Sequence, residues 1–270
     1  MSAAEDPGFS PTWLGLRERA DAAARSSELL DRLLPDLTKA DNPVIHDLGC
    51  GTGSMGRWLA PQLPGPQRWI MYDRDADLLE RTAAGMTKPG LTVETRQRDI
   101  TRLTAADLAG ADLITASALL DMFTADELDR VVAACVEAGC PTLFTISVLG
   151  QVEFTPSDPF DPEIEAAFNA HQRRTDGDRT LLGPDAVEAT VEAFGRRGVN
   201  VLVRPSHWRL GPDQADLIAE WFQGWVDAAV EQRSELAGPA ADYAKRRLVD
   251  AEAGDLSVVV QHSDLLAGHE

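Results

Sequence analysis

The residues with the clearest chemistry form the heptapeptide DLGCGTG, which begins at Asp47 and contains Gly49, Gly51 and Gly53. It lies between a short apolar run and a helical pattern. Glycine there lets the backbone approach a ligand closely, and the helix N-terminus favours negative charge. Asp73 ends the next apolar run, about 20 residues farther on, where a carboxylate can hydrogen-bond both hydroxyls of a ribose. Together these residues favour a nucleoside cofactor over a mere tight turn at the glycines and an N-cap at Asp73.

The same turn also matches a different cofactor class. Gly51, Gly53 and Gly56 satisfy the GxGxxG pattern of dinucleotide-binding turns, which is weak evidence alone. Asp47 argues against a dinucleotide, because a carboxylate beside the turn would repel a pyrophosphate and suits an ammonium or sulfonium group. Asp99, in the segment RQRDI, can accept a hydrogen bond from the exocyclic amine of adenine. An NAD(P)-dependent oxidoreductase is the alternative that these residues leave open.

Four segments in order over residues 44–121 carry a family resemblance: HDLGCGTGSMGRWL, MYDRD, RQRDI and ADLITASALLD. They resemble the successive motifs of class I S-adenosylmethionine-dependent methyltransferases of the small-molecule type. The later segment DLSVVVQ is similar to the antiparallel last strand of that family. The resemblance implies S-adenosylmethionine as cofactor and a doubly wound, Rossmann-like, seven-stranded and mostly parallel sheet.

The resemblance also implies a role for each matching position. Asp47 is expected near the methionine ammonium, Asp73 at the ribose, and Arg74 beside the adenine. An arginine of the first helix, Arg25 among them, is expected at the methionine carboxylate. The residues expected to bind the cofactor are Arg25, Asp47, Gly49, Cys50, Gly51, Gly53, Asp73, Arg74, Asp99, Ile100, Ser117 and Leu120. His46 departs from the aliphatic residue usual in the family, and we expect a packed, hydrogen-bonded strand residue there.

Methyl transfer from a sulfonium is an in-line displacement, so few catalytic residues are expected. Asp121 is a candidate base or holder of an acceptor amine, with a helix cap as the alternative. His171 has an ordinary pKa of about 6.5 that suits a base, although an exposed helix histidine would look the same. The candidates for acceptor binding are Trp13, Arg17, Arg173 and Arg174, each with surface or helix-end pairing as the alternative.

Aromatic residues mark the last third of the chain. Trp221 and Trp225 are four residues apart and share a helix face with Phe222 nearby, and Trp208 precedes them. Such a stripe predicts core packing or a dimer face more often than the roof of a pocket. The sequence therefore allows a homodimer.

The rhythm of strands and helices predicts an α/β fold with a mostly parallel sheet. We expect a disordered N-terminus over 1–12 and a single methyltransferase domain over 13–270. One N-terminal helix is expected over 13–37, broken near Pro35, and helical insertions near 149–180 and 212–254. A loop is expected over 149–160 and the final strand over 255–261.

The amino-acid composition narrows the range of possible substrates. The 270 residues carry 25 Lys and Arg against 44 Asp and Glu, a net charge of −19, which disfavours nucleic acid and anionic membrane as partners. The three cysteines fit no disulfide framework or metal site, and neither a signal peptide nor a membrane span is recognisable, which favours the cytoplasm. ASALL replaces the Asn/Asp-Pro-Pro-aromatic tetrapeptide of relatives that methylate planar amino nitrogens. We expect O- or N-methylation of a small metabolite, with an RNA methyltransferase or a non-catalytic cofactor-binding scaffold as further alternatives.

Overall fold

The computed structural model describes residues 10–269. Within that range it contains ten strands: β1 Val44–Leu48, β2 Gln67–Asp73, β3 Leu91–Gln97, β4 Leu113–Ser117, β5 Thr142–Thr155, β6 Thr175–Asp176, β7 Arg179–Thr180, β8 Val201–Pro205, β9 Trp208–Leu210 and β10 Ser257–Ala267. The α-helices of the same range are α1 Pro11–Ala24, α2 Ser27–Leu37, α3 Ser54–Leu59, α4 Ala76–Gly85, α5 Ala125–Ala138, α6 Asp161–Gln172, α7 Ala186–Gly195, α8 Ala215–Gln232 and α9 Ala237–Ala253.

One mixed sheet organises the fold, with the strand order β3-β2-β1-β4-β5-β10-β8 and with β9 also paired to β10. The strands β1 to β5 run parallel, and β10 runs antiparallel to β5, β8 and β9. This architecture confirms the predicted Rossmann-like class with its antiparallel last strand. The sheet has eight strands in the described residues instead of seven because the short β9, which no periodic pattern announces, adds to it.

Local sequence explains the regular elements of the first half. The α5 helix begins at a capping box between Thr124 and Glu127 and ends at Gly139, which has a left-handed backbone with φ 74°. Strand β2 is buried on both faces, as a parallel strand between helices must be, and its residues Trp69 and Met71 are fully buried. These signals explain the bounds of α5 and the central place of β2 in the sheet.

The N-terminal region differs from its prediction. Instead of one helix over 13–37 there are two, because the chain turns at Arg25 and the side chain of Ser26 caps α2 by accepting from the amide of Leu29. Pro35 lies in the last turn of α2 and does not break it. Of the segment predicted to be disordered, residues 1–9 lie outside the described range, whereas Pro11 already belongs to α1.

The second half carries the largest corrections. Strand β5 continues to Thr155 through the region predicted as a loop, and β10 runs to Ala267, well beyond the predicted end at residue 261. Each strand is the pairing partner of the other along almost its whole length. Pairing between residues more than 100 positions apart leaves no local periodic signal, which is why the prediction fell short.

The helical insertions α6, α8 and α9 pack together over the outer half of β5. Phe154 contacts the rings of Trp221, Phe222 and Trp225 at centroid distances of 5.4–6.1 Å. The aromatic stripe therefore forms core packing, as favoured from the sequence. No helix in the described part of the chain is long and apolar enough to cross a membrane.

Candidate active site

A cavity of about 890 Å³ opens at the carboxyl ends of β1, β2 and β4. Ligands of open α/β sheets bind at this edge, where the strand order reverses. The glycine-rich turn and the ends of β2 and β3 line one side, and α1 and the segment after β4 line the other. From the predicted set, the cavity wall contains Arg17, Asp47, Gly49, Cys50, Gly51, Asp73, Arg74, Asp99, Ile100 and Ser117.

The glycine-rich turn is held from both sides. Gly49 and Gly51 have φ values of 63° and 56°, a backbone conformation that favours glycine. A Cβ added at Gly49 would lie 3.1 Å from the side chain of Leu119. The carbonyl of Gly51 accepts a hydrogen bond of 2.8 Å from the Thr82 hydroxyl. The turn thus presents a fixed backbone surface to the cavity.

Asp73 reinforces that turn. Its Oδ2 accepts a hydrogen bond of 2.8 Å from the amide of Gly51, and its Oδ1 accepts one of 3.0 Å from the amide of Asp75. Each carboxylate oxygen can accept a further bond, so the group remains able to receive two hydroxyls from a ligand in the cavity.

Asp47 is a buried carboxylate at the floor of the cavity. Its Oδ1 accepts a 2.6 Å hydrogen bond from the Thr115 hydroxyl, whereas its buried Oδ2 has no hydrogen-bond partner. Burial raises the pKa of Asp47 to about 7, against the opposing effects of the Thr115 bond and of the Arg25 charge. An unsatisfied acceptor of this kind is completed by a cationic donor such as an ammonium group.

Arg25 is buried directly behind the cavity wall. Its Nη2 donates to the hydroxyls of Ser54 and Ser117 at 3.2 and 3.1 Å, and its Nε donates to Thr145 at 3.4 Å. Its Nη1 is buried without a partner. Burial lowers the pKa of Arg25, and nearby carboxylates, Asp21 first among them, favour the charged form. A ligand carboxylate is the natural complement of this guanidinium.

Ile100, Arg74 and Asp99 line the cavity near the ends of β2 and β3. The side chain of Ile100 supplies an apolar wall, and Arg74 lines the same region. The Oδ1 of Asp99 accepts from the amide and hydroxyl of Thr101, so its orientation is set. The buried thiol of Cys50 has its pKa raised by burial, which makes it a packing group rather than a nucleophile.

A fixed ion pair on α1 lines the cavity on the side away from Ile100. Arg17 donates from Nε and Nη2 to the two carboxylate oxygens of Asp21 at 3.0 and 3.1 Å. Its guanidinium lies 5.0 Å from the ring of Trp208 and 5.8 Å from that of Trp13. Asp21 also accepts from the Trp208 indole at 2.9 Å. Trp13 thus packs behind Arg17 and does not itself line the cavity.

Asp121 lies on a short 3-10 turn directly after β4. Burial raises the pKa of its carboxyl group, and the charges of Arg17 and Arg174 act in the opposite direction. Its side chain is half-buried and is not part of the cavity wall itself. Arg174 donates from Nη1 to the carbonyl of His171 at 3.3 Å, and its guanidinium also lies outside the wall.

The structure places several predicted residues away from the cavity. His171 pairs with Glu231 of α8 at 3.3 Å, and Arg173 forms two 2.6 Å hydrogen bonds with Asp185. His171 lies on the face of α6 that packs against α8, one turn after the buried Ala167, and Arg173 follows the last turn of that helix, so neither side chain lines the cavity.

Two further residues expected to bind the cofactor lie next to the cavity wall rather than in it. Leu120 is buried in the core, and its neighbour Leu119 reaches the glycine-rich turn in its place. Gly53 caps α3 with φ 87° and faces Thr82 rather than the cavity. Periodicity does not indicate which residue of a short irregular segment points inward.

Other wall residues escaped the sequence analysis. Leu14 of α1 lies close to the Gly51 backbone, and Arg179 of β7 lines the cavity while it bonds to Glu127 and to the carbonyl of Met122. The spacing of Leu14 from the other apolar residues of its helix is a weak signal. No local sequence pattern identifies Arg179 as a residue of the cavity wall.

His46 is confirmed as a packed strand residue. Its Nδ1 lies 3.1 Å from the Tyr72 hydroxyl, and burial lowers its pKa to about 4. Among residues 10–269 no group of three or more His, Cys, Asp and Glu side chains is placed to hold a metal ion.

The donor set fits S-adenosylmethionine. The orphaned Asp47 Oδ2 complements its ammonium, the orphaned Arg25 Nη1 complements its carboxylate, and the bare glycine backbone leaves room for the chain between them.

Comparisons with known proteins agree with this site. A family model described as a methyltransferase domain matches residues 45–141. The fold is similar to that of the cyclopropane synthase MmaA2 from Mycobacterium tuberculosis, with a TM-score of 0.53, 16% identity, and coverage of 96% of this chain and 94% of that one. A putative sarcosine dimethylglycine methyltransferase from Galdieria sulphuraria has a TM-score of 0.47, 15% identity, and coverage of 93% and 85%. A comparison with curated protein sequences gives no match.

The order of the sequence motifs, the family match and the fold therefore lead to one conclusion. Residues 45–141 are similar to a methyltransferase domain, and they supply most of the wall of a cavity whose donor set fits S-adenosylmethionine.

Proposed function

We propose that the protein transfers the methyl group of S-adenosylmethionine to an oxygen or nitrogen atom of a small metabolite. The observation that carries this proposal is the cavity of about 890 Å³, which is in the range of small-molecule sites and has α1 over one side. Its volume accommodates a cofactor together with a compact acceptor.

In this proposal, one set of side chains binds the cofactor. Asp47 accepts from its ammonium, Arg25 donates to its carboxylate, and Asp73 accepts from the ribose hydroxyls. Arg74, Asp99 and Ile100 surround the adenine. The backbone from Gly49 to Thr52 and the hydroxyl of Ser117 border the methionyl portion. When bound, the cofactor supplies an electrophilic methyl group on a positively charged sulfur.

The acceptor end is formed by α1 and the turn after β4. Asp121, between the wall residues Leu119 and Met122, is the candidate to take the acceptor proton or to hold an acceptor amine once an acceptor fills that end, and burial raises the pKa of its carboxyl group. Arg17, backed by Trp13, and Arg174 provide positive charge near that carboxyl group. The apolar side chains of Leu14 and Leu119 exclude water from the same end. His171 and Arg173 are left out because their side chains pair with Glu231 and Asp185 and do not line the cavity.

The test is a screen of metabolites bearing hydroxyl, amine or carboxylate groups with isotopically labelled S-adenosylmethionine. We expect product with a small-molecule acceptor, and a loss of about 10²-fold or more in kcat for Asp121→Asn with unchanged cofactor affinity. An Arg173→Ala variant is the control and should keep wild-type turnover. Transfer to RNA instead of any metabolite would favour an RNA methyltransferase, and full turnover in Asp121→Asn would remove that residue from the mechanism.

We further propose a cytoplasmic enzyme of small-molecule metabolism whose single domain spans 13–270. The three cysteines are all free, which is typical of a reducing compartment. The net charge of −19 disfavours long nucleic acids as partners. A homodimer stays a prediction from the sequence, which light scattering of the purified protein checks directly.

A further inference from the structure

Asp264 of β10 is a buried carboxylate that lies outside the cavity wall and has 1% of its surface exposed. It lies opposite an irregularity in β5. Ser263 pairs with Ser147 and Leu265 pairs with Phe144, so two residues of β5, Thr145 and Ile146, face the single residue Asp264. This is a β-bulge, a device that re-aims a side chain locally.

The carboxylate of Asp264 holds two separate chain segments. Its Oδ1 accepts a 2.8 Å hydrogen bond from the amide of Ile146, whose φ of 56° is unusual for a β-branched residue. Its Oδ2 accepts a 2.8 Å hydrogen bond from the amide of Ser26, the residue that caps α2. A strained conformation of this kind persists only where the surroundings determine it.

Both segments that Asp264 holds lie next to Arg25 or to one of its hydrogen-bond partners. Ser26 directly follows Arg25 in the chain, and Ile146 directly follows Thr145, whose hydroxyl accepts from the Arg25 Nε. Thr145 in turn donates to Ser117 at 3.0 Å, and Ser117 accepts from the Arg25 Nη2. The negative charge of Asp264 also favours the charged form of the buried guanidinium. One carboxylate thus orders the backbone on both sides of the Arg25 side chain.

We propose that Asp264 is a positioning residue that fixes Arg25 for binding the carboxylate of S-adenosylmethionine. This inference rests on the proposed role of Arg25. Its consequence is selective: loss of Asp264 weakens ligands that contain the amino-acid carboxylate and spares those that contain only the nucleoside. A residue needed merely for folding would not discriminate between the two ligands.

The experiment measures binding of S-adenosylhomocysteine and of 5′-methylthioadenosine, which lacks the amino-acid group, by calorimetry. In Asp264→Asn an amide nitrogen replaces one acceptor oxygen and the charge is lost. We expect the Kd for S-adenosylhomocysteine to rise about 10-fold or more and the Kd for 5′-methylthioadenosine to change less than about two-fold. Asp112→Asn is the matched control, since the Asp112 Oδ2 also accepts a 2.8 Å bond from a strand amide, that of Val44. It should change neither Kd.

A double-mutant cycle with Arg25→Lys tests whether Asp264 affects ligand binding through Arg25. We expect the effects of Asp264→Asn and Arg25→Lys on S-adenosylhomocysteine binding to be strongly non-additive. If Asp264→Asn does not fold, Thr145→Val removes the hydroxyl that accepts from Arg25 and should show the same selectivity.

The outcomes separate two failures. Equal weakening of both ligands, unchanged affinity for both, or additive effects would overturn the positioning role while the proposed function stands. Wild-type protein that binds neither ligand, or Arg25→Lys that binds S-adenosylhomocysteine normally, would overturn the proposed cofactor role of Arg25 and this inference with it.

Discussion

At the scale of single residues, Asp47 and Arg25 determine the electrostatics of the site. Each is a buried charged group with one atom that the protein leaves without a partner. Buried polar atoms are normally satisfied, because an unmade hydrogen bond costs about 1–3 kcal/mol. In the proposed function, their charged forms pair with the two ends of a zwitterionic amino-acid group. The unpaired atoms make the ligand-free protein less stable, and a ligand that pairs with them binds more tightly.

The first prediction follows from the raised pKa of Asp47. The folded chain retains a proton on Asp47 up to about pH 7, whereas the unfolded chain loses it near the ordinary value of 3.8. The folded state therefore binds more protons between these values, and stability falls as pH rises from about 4 through 7. Asp47→Asn removes this loss, so we expect the ligand-free variant to be more stable than wild type at pH 8 by on the order of 4 kcal/mol.

Urea unfolding at pH 5 and pH 8 measures the difference in the free energy of unfolding between this variant and wild type, which should be smaller at the lower pH. The same variant should bind S-adenosylhomocysteine more weakly at pH 8, because the amide lacks the charge that attracts the ligand ammonium. Equal stability differences at the two pH values would contradict the assignment of a raised pKa to Asp47.

The second prediction concerns Asp73. Asp73→Ala removes the bonds to the Gly51 and Asp75 amides and the acceptors for the ribose. Hydrogen bonds to a charged group are worth about 1.5–3 kcal/mol, so affinity for S-adenosylhomocysteine should fall about 10- to 100-fold. Asp73→Asn keeps one acceptor oxygen and should lose less. Calorimetric titration decides the matter, and wild-type affinity in the alanine variant would refute the role of Asp73.

At the scale of elements, α1 is a wall of the cavity that is attached by specific polar contacts. Its sequence gives it only a weakly apolar face, and Ala20 and Asp21 are its buried residues. Glu18 pairs with Arg57 of α3, and Asp21 accepts from Arg17 and from the Trp208 indole. The position of α1 therefore depends on these contacts more than on hydrophobic burial.

The third prediction tests that dependence. Asp21→Ala leaves the Arg17 guanidinium and the buried Trp208 indole without their shared acceptor. We expect a loss of stability of about 1–3 kcal/mol and weaker binding of S-adenosylhomocysteine. The control is Asp36→Ala, which removes an exposed pair with Lys39 and should leave the melting temperature unchanged. Unaltered stability and affinity in Asp21→Ala would show that α1 is held by other means.

Sequence signals predicted elements well where caps and local pattern agree. The capping box at Thr124 and the left-handed Gly139 set the bounds of α5 before any tertiary contact is considered. The division between α1 and α2 was not predicted in this way, because no glycine or proline marks the chain around Arg25. The turn depends on Asp264, 238 residues away, which accepts from the Ser26 amide.

At the scale of the whole molecule, net charge and cavity together favour a small ligand. The fourth prediction is that S-adenosylhomocysteine at 100 times its Kd stabilises the folded protein by about 2.7 kcal/mol. For a chain of this length that raises the melting temperature by roughly 5–10 °C. NADH should give no shift, because Asp47 at the base of the turn repels a pyrophosphate. A shift with NADH alone would restore the dinucleotide alternative.

Local chemistry by itself indicated the fold class and a nucleoside cofactor, and the resemblance of four successive motifs implied S-adenosylmethionine and most of the residues that line the cavity near the glycine-rich turn. Some features act over only a few residues: glycines with positive φ, acids at strand ends and helix caps. Their pattern can therefore be recognised in the sequence. The tertiary structure decided the rest. It placed Leu119 rather than Leu120 at the turn and brought Arg179 to the wall. It also engaged His171 and Arg173 elsewhere and joined Asp264 to the surroundings of Arg25. These outcomes depend on contacts between distant segments, whose geometry is set only when β5 and β10 pair and the helices pack over them.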